Sequence, residues 1–155
     1  MRFNAFPPAL IFQGKHPTHS QNRSFVVILS KAATKSTLAH ELWHVRQFWA
    51  KLAIGAVLGV LFWYFAPSMP QTWLTAAITV LVAFPNLITE IIPAWDYSSE
   101  TAAYAESVRN GRPLERCANA LANNPKLYGN ISFADAIADI SDKVGRNRLG
   151  WFTLH

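Results

Sequence analysis

The sequence predicts a mainly α protein with a short N-terminal β segment and an inserted apolar helical hairpin. Three observations lead there. The run "SFVVILS" (Ser24 to Ser30) is β-branched, compact and bounded by polar residues, as a strand is. Two long apolar stretches, Leu52 to Ala66 and Thr72 to Ile92, are joined by the uncharged turn "PSMPQ". After Pro93 the composition changes to mixed polar and small residues in helix-length segments.

Taken in order, residues 1 to 24 read as loop, punctuated by Pro7, Pro8, Gly14, Pro17, Ser20 and Asn22, with only Ala9 to Phe12 as a short strand. A helix starts near Thr34 or Ser36, either of which can cap its first turn, and meets no proline or glycine until Gly55. Residues 97 to 110 form a helix that stops at the turn "NGRP". Leu114 to Asn123 form another, broken at "NNPKLYGN". Ser132 caps a last helix that ends at Gly145.

Composition narrows the class of function. The chain is 51% hydrophobic and 15% charged, which favours lipid contact over an ordinary soluble surface. Its 14 basic residues exceed its 9 acidic ones, but they are scattered singly rather than gathered into a nucleic-acid-binding face. The single cysteine, Cys117, excludes an internal disulfide and any Cys-based metal site, and fits a reducing compartment. The first fifteen residues lack the apolar core of a secretion signal.

The hairpin, about residues 48 to 95, has membrane dimensions. A helix needs about 20 residues to cross roughly 30 Å of hydrocarbon. Leu52 to Ala66 reaches that length by recruiting Phe48 and Trp49 while Lys51 snorkels. Thr72 to Ile92 is long enough, with a kink expected at Pro85 and Glu90 facing protein, water or the interface. Trp49 and Trp95 mark one interface; Trp63, Tyr64 and Trp73 mark the other. Seven Lys and Arg precede Leu52, seven follow Ile92 and the connecting turn has none, so both ends are expected to face the cytoplasm. The competing expectation is a soluble protein that buries the hairpin in its core.

His40-Glu41-Leu42-Trp43-His44 has HExxH spacing. Residues four apart on a helix share a face, so the two imidazoles can converge on one Zn²⁺. Glu41 then lies beside the open coordination position, where it can take a proton from water. A catalytic site of this kind needs a third protein ligand. Glu100 is the leading candidate, because it sits on a new helix past the apolar block with Ala103 allowing close approach. Glu106, Asp96 and Glu90 are alternatives, and His16, His19 and His155 lie in loop-like or terminal segments.

"HELWH" followed after an apolar insertion by "ETAAY" resembles the gluzincin metallopeptidases, most closely the integral-membrane branch of heat-shock membrane proteases and CaaX-prenyl proteases. The resemblance implies one metallopeptidase-like domain over residues 1–155, with a zincin-like active-site helix and the hairpin inserted between HExxH and the third ligand. It makes His40, His44 and Glu100 zinc ligands, Glu41 the general base, and the substrate a protein or peptide cut by a membrane-associated hydrolase. One position departs: Tyr104 stands where the branch's E-x-x-A-D motif has Asp. A non-catalytic membrane-anchored binding protein on the same fold is the main alternative. Asp135, Asp139 and Asp142 recur at helical spacing, as a second cation site or a solvated acidic face would have them.

Overall fold

The computed structural model describes residues 2–5, 7–15, 20–124 and 131–146. The N-terminal part is a four-stranded sheet of β1 (Arg2–Ala5), β2 (Pro8–Gln13), β3 (Gln21–Arg23) and β4 (Val26–Leu29), in the order β1-β2-β4-β3. The two central strands run parallel, with Ile11 opposite Val27; β1 and β3 add antiparallel at the edges. Only the central pair carries the apolar signature of strands. The edge strands "RFNA" and "QNR" lie where sequence reading expects loop, because an edge needs only a neighbour's backbone to pair with. Ser24, at φ 60°, makes the tight turn between β3 and β4.

Helix α1 (Lys35–Phe65) is 31 residues long, about 46 Å at the standard rise. Thr34 opens it: its hydroxyl accepts from Thr37 N–H, while the Thr37 hydroxyl accepts from Thr34 N–H. The first half covers one face of the sheet. Leu38, Leu42, Val45 and Trp49 pack on Ala9, Ile11 and Val27, and the Trp49 indole N–H donates to the Pro8 carbonyl at 2.9 Å.

The second half leaves the sheet and pairs with α2 (Gln71–Ile91), which continues as one helix through Pro85. Gly55 and Gly59, one turn apart, set this contact. A Cβ at Gly55 would lie 2.5 Å from the Val82 carbonyl oxygen, so the two backbones nearly touch. The hydroxyls of Thr75 and Thr79 donate to carbonyls one turn back, so neither is left bare on that stretch. Val57, Val60, Trp63, Trp73 and Val80 are each more than half exposed, so nothing among the described residues covers the hairpin's outer faces.

Helices α3 (Pro93–Arg109), α4 (Leu114–Ala122) and α5 (Phe133–Arg146) form a second core of Ala105, Cys117, Ala118, Leu121, Ala136 and Ile140. Helix α3 lies between this core and α1, where the Ser107 hydroxyl donates to the Ser36 carbonyl at 3.2 Å. Helix α5 is strapped to α3: Lys143 Nζ donates to the Ser98 carbonyl at 2.9 Å and Arg109 to the Lys143 carbonyl at 2.6 Å. The three aspartates of α5 do not converge. Asp135 bonds Ser132, Asp139 accepts from Tyr97 and Asp142 pairs with Arg146, which makes them a hydrogen-bonded surface.

Two glycines separate close packing from helix propensity. Gly55→Ala is expected to lower the thermal midpoint in detergent, by a destabilisation of about 1–3 kcal/mol from overpacking. Gly145→Ala, with nothing within 4 Å of the added methyl, is expected to raise it, by about 0.5–1 kcal/mol. An unchanged midpoint for Gly55→Ala would mean that α1 and α2 do not meet backbone to backbone.

Candidate metal centre

Helix periodicity brings His40 and His44 onto one face of α1, with their Nε2 atoms 3.3 Å apart. The third group comes from 56 residues further along the chain. Pro93 starts α3, and two turns later Glu100 presents Oε1 at 3.3 Å from His44 Nε2 and Oε2 at 3.6 Å from His40 Nε2. Bonds of about 2.0–2.1 Å to a tetrahedral ion put its ligand atoms about 3.3–3.4 Å apart. The contacts engage both oxygens of Glu100, and one ligand atom from each residue lies within 4.8 Å of the other two, close enough for the three side chains to share one ion.

The donor set fits zinc on chemical grounds also. Gln47 Oε1 lies 3.3 Å from His44 Nδ1, and it accepts from the Ser99 hydroxyl at 2.5 Å. An amide oxygen only accepts, so Nδ1 of His44 carries a proton, and a neutral ring then has its Nε2 lone pair toward Glu100. His40 is held differently: the Tyr104 ring packs on its imidazole with centroids 4.7 Å apart, and the Ala103 backbone of α3 lies near enough to favour its protonated form. With both rings neutral and protonated on Nδ1, three acceptor atoms would face one another, an arrangement that a cation relieves.

The electrostatics reflect that crowding. Burial, and then the neighbouring His44, push the His40 pKa down to about 4, so its ring is neutral at pH 7. For His44 burial also acts downward, but the hydrogen bond and charge of Glu100 outweigh it and raise the pKa. The pocket therefore attracts one positive charge to the His44–Glu100 edge. Glu41 is 8% exposed, and burial raises its carboxyl to about 7, with His44 opposing and Glu100 reinforcing the shift. Burial, then Glu100, also raise the Tyr104 phenol to about 12, which keeps it neutral.

All four groups of the motif line one cavity of about 750 Å³, bounded by α1, by β3 and by Asn86 of α2. Among the described residues, His40, His44 and Glu100 are the only such group with ligand atoms this close. Asp96 lines the same cavity outside that cluster, while Glu106 is taken up by Arg109 and Asn110. The side chain of Glu90 and the whole of His16, His19 and His155 lie outside the described residues.

Sequence reading missed Gln47 and Ser99. Gln47 lies one turn beyond His44 and Ser99 precedes Glu100, so spacing alone would have singled them out once the ligands were known.

Purified protein is expected to bind about one Zn²⁺, and His44→Ala and Glu100→Ala to lose it. Gln47→Ala should keep the stoichiometry but weaken binding about 10–100-fold in a chelator competition, because only the orientation of His44 is relaxed. Wild type that takes up no zinc would remove the metal centre altogether.

Comparison of the chain with protein-family models, with curated proteins and with solved structures finds no match in any of the three.

Proposed function

We propose that the protein is a membrane-associated zinc metallopeptidase that hydrolyses peptide bonds. The observation that carries this is the triangle of His40 Nε2, His44 Nε2 and Glu100, with the buried carboxyl of Glu41 lining the same cavity. Zinc held there supplies a Lewis acid that polarises a carbonyl and acidifies water.

The chain's own groups do the rest. His40 and His44 offer neutral nitrogens, with Gln47 and Ser99 fixing one ring and Tyr104 packing on the other. Glu41 takes the proton of the attacking water at its carboxylate and returns it to the departing amine. Burial, which disfavours the charged carboxylate, supports the return of that proton. The peptide bond as target rests on resemblance to gluzincins; the geometry alone supports metal-assisted hydrolysis.

Membrane association rests on the hairpin. The apolar part of α1 is long enough to cross a bilayer, and little of it is buried within the protein. A soluble monomer would hold those exposed Val, Leu and Trp side chains in water at about 25 cal/mol per Å². Lipid removes that penalty. The even division of basic residues on either side of the hairpin supports a cytoplasmic metal centre.

Glu41→Gln is expected to retain zinc while hydrolysis of an unfolded protein falls about 10²–10⁴-fold. A binding module would behave identically with either residue, so an unchanged phenotype in cells together with no hydrolysis by wild type would replace the peptidase reading. The intact chain should stay with membranes after an alkaline wash. Its recovery in a detergent-free soluble fraction would favour the soluble form with a buried hairpin.

A further inference from the structure

The cavity at the metal centre has two walls of different chemistry. Helix α1 is its floor, while β3 and α3 both pack on α1 and not on each other, so they face one another across it. The α3 wall carries carboxylates, Glu100 of the ligand cluster and Asp96 one turn before it. The β3 wall carries donors: Asn22 and Arg23 line the cavity from that strand, and Lys51 adds a second cation from the floor.

The donors of the β3 wall want for acceptors. Nδ2 of Asn22 is buried and makes no hydrogen bond among the described residues, and the exposed Arg23 guanidinium pairs with no carboxylate there. Asp96, in contrast, is already engaged within the protein. Phe48 is the only large apolar side chain among the described residues on the lining. The cavity is therefore matched to a ligand group that accepts hydrogen bonds and carries negative charge, and poorly matched to an apolar one.

Sheet register sets how far Arg23 stands from the ligands. Arg23 pairs with Val26 of β4; on one side of Val26, Val27 shares a buried cluster with Val45, and on the other, Phe25 lies against Phe48 and Trp49. Arg23 is thus level with the turn of α1 that follows His44, about 5 Å along the helix from it. An extended polypeptide covers that distance in about one to two residues.

On the reading of this site as a peptidase, we infer that Arg23 determines its specificity by holding an acidic side chain, Asp or Glu, within about two residues of the bond that is cut. A guanidinium meets a carboxylate with two parallel N–H donors, a geometry that an amide or an apolar side chain does not reproduce. Lys51, farther along the floor in the same direction, adds to the attraction and works against a lysine or arginine in that place.

The test digests a peptide mixture of randomised sequence with zinc-loaded protein in detergent, and mass spectrometry reads the residues flanking each cut. Asp and Glu should be enriched about three- to tenfold at one position within two residues of the cut, the range of a partly exposed charge pair. Arg23→Glu should lose that enrichment and favour Lys and Arg at the same position, with zinc stoichiometry unchanged to show that the variant folds. Cuts with no acidic preference, or the same preference in Arg23→Glu, would overturn the inference and leave the peptidase reading standing. No cuts at all would bring down both.

A second readout needs no turnover. Glu41→Gln protein should bind a labelled peptide carrying Glu at the selected position about three- to tenfold more tightly than the same peptide with Gln, and raising salt from about 0.05 to 0.5 M should shrink the difference. Adding Arg23→Gln should abolish it. Equal affinities for the two peptides would overturn the assignment of Arg23.

Discussion

The functional geometry depends on how closely α3 lies along the first half of α1. Two histidines on one helix are cheap to build, since helical rise alone puts them together. A carboxylate from a distant segment is not. Glu100 reaches them because the residues around it on the contact are small: Ala103 and Ser107 are fully buried, and Ser107 bonds the backbone of α1 at Ser36. A bulky side chain at either position would hold α3 off by more than the few tenths of an ångström that a metal tetrahedron tolerates. Helices α4 and α5 act on the same contact from behind. Their core includes Ala105, and Lys143 and Arg109 fasten α5 along α3. The C-terminal helices thus have a role at the centre without supplying a ligand.

This packing concentrates like-natured atoms. Two imidazoles and a carboxylate share one space, and burial with the neighbouring His44 lowers the His40 pKa while Glu100 raises that of His44. Bringing these groups together costs folding energy, and a cation bound there would offset it, which is the usual linkage between metal sites and stability. The hydrogen bonds from Ser99 through Gln47 to His44 join the ligand helices a second time. Ligand geometry and helix packing are therefore one constraint, not two.

What the sequence revealed divides along the same line between local and distant interactions. The pair His40 and His44, the caps at Thr34 and Ser132 and the two apolar helices were legible because each is encoded within a few residues. Glu100 was legible only through composition, as a glutamate among small residues on the next polar helix. The edge strands were not, since "RFNA" and "QNR" have no apolar alternation and pair through backbone alone. Tyr104 shows the limit most clearly. Against the motif it reads as a missing aspartate; in the fold its ring packs on His40, a support by contact where a carboxylate would have given a hydrogen bond.

The continuity of α1 has a further consequence. Between Lys35 and Ile54 the helix holds neither proline nor glycine, and the glycines that follow, Gly55 and Gly59, are filled by the backbone and side chains of α2 rather than left as hinges. The two halves of the helix have different partners, the sheet and α3 on one side and α2 on the other, yet no point between them can bend without breaking a packed contact. The two histidines and the first helix of the hairpin are thus parts of one continuous helix. Whatever surrounds the hairpin therefore bears on the height and tilt of the face that carries His40 and His44, even though no side chain of the apolar half of α1 lines their cavity beyond Lys51.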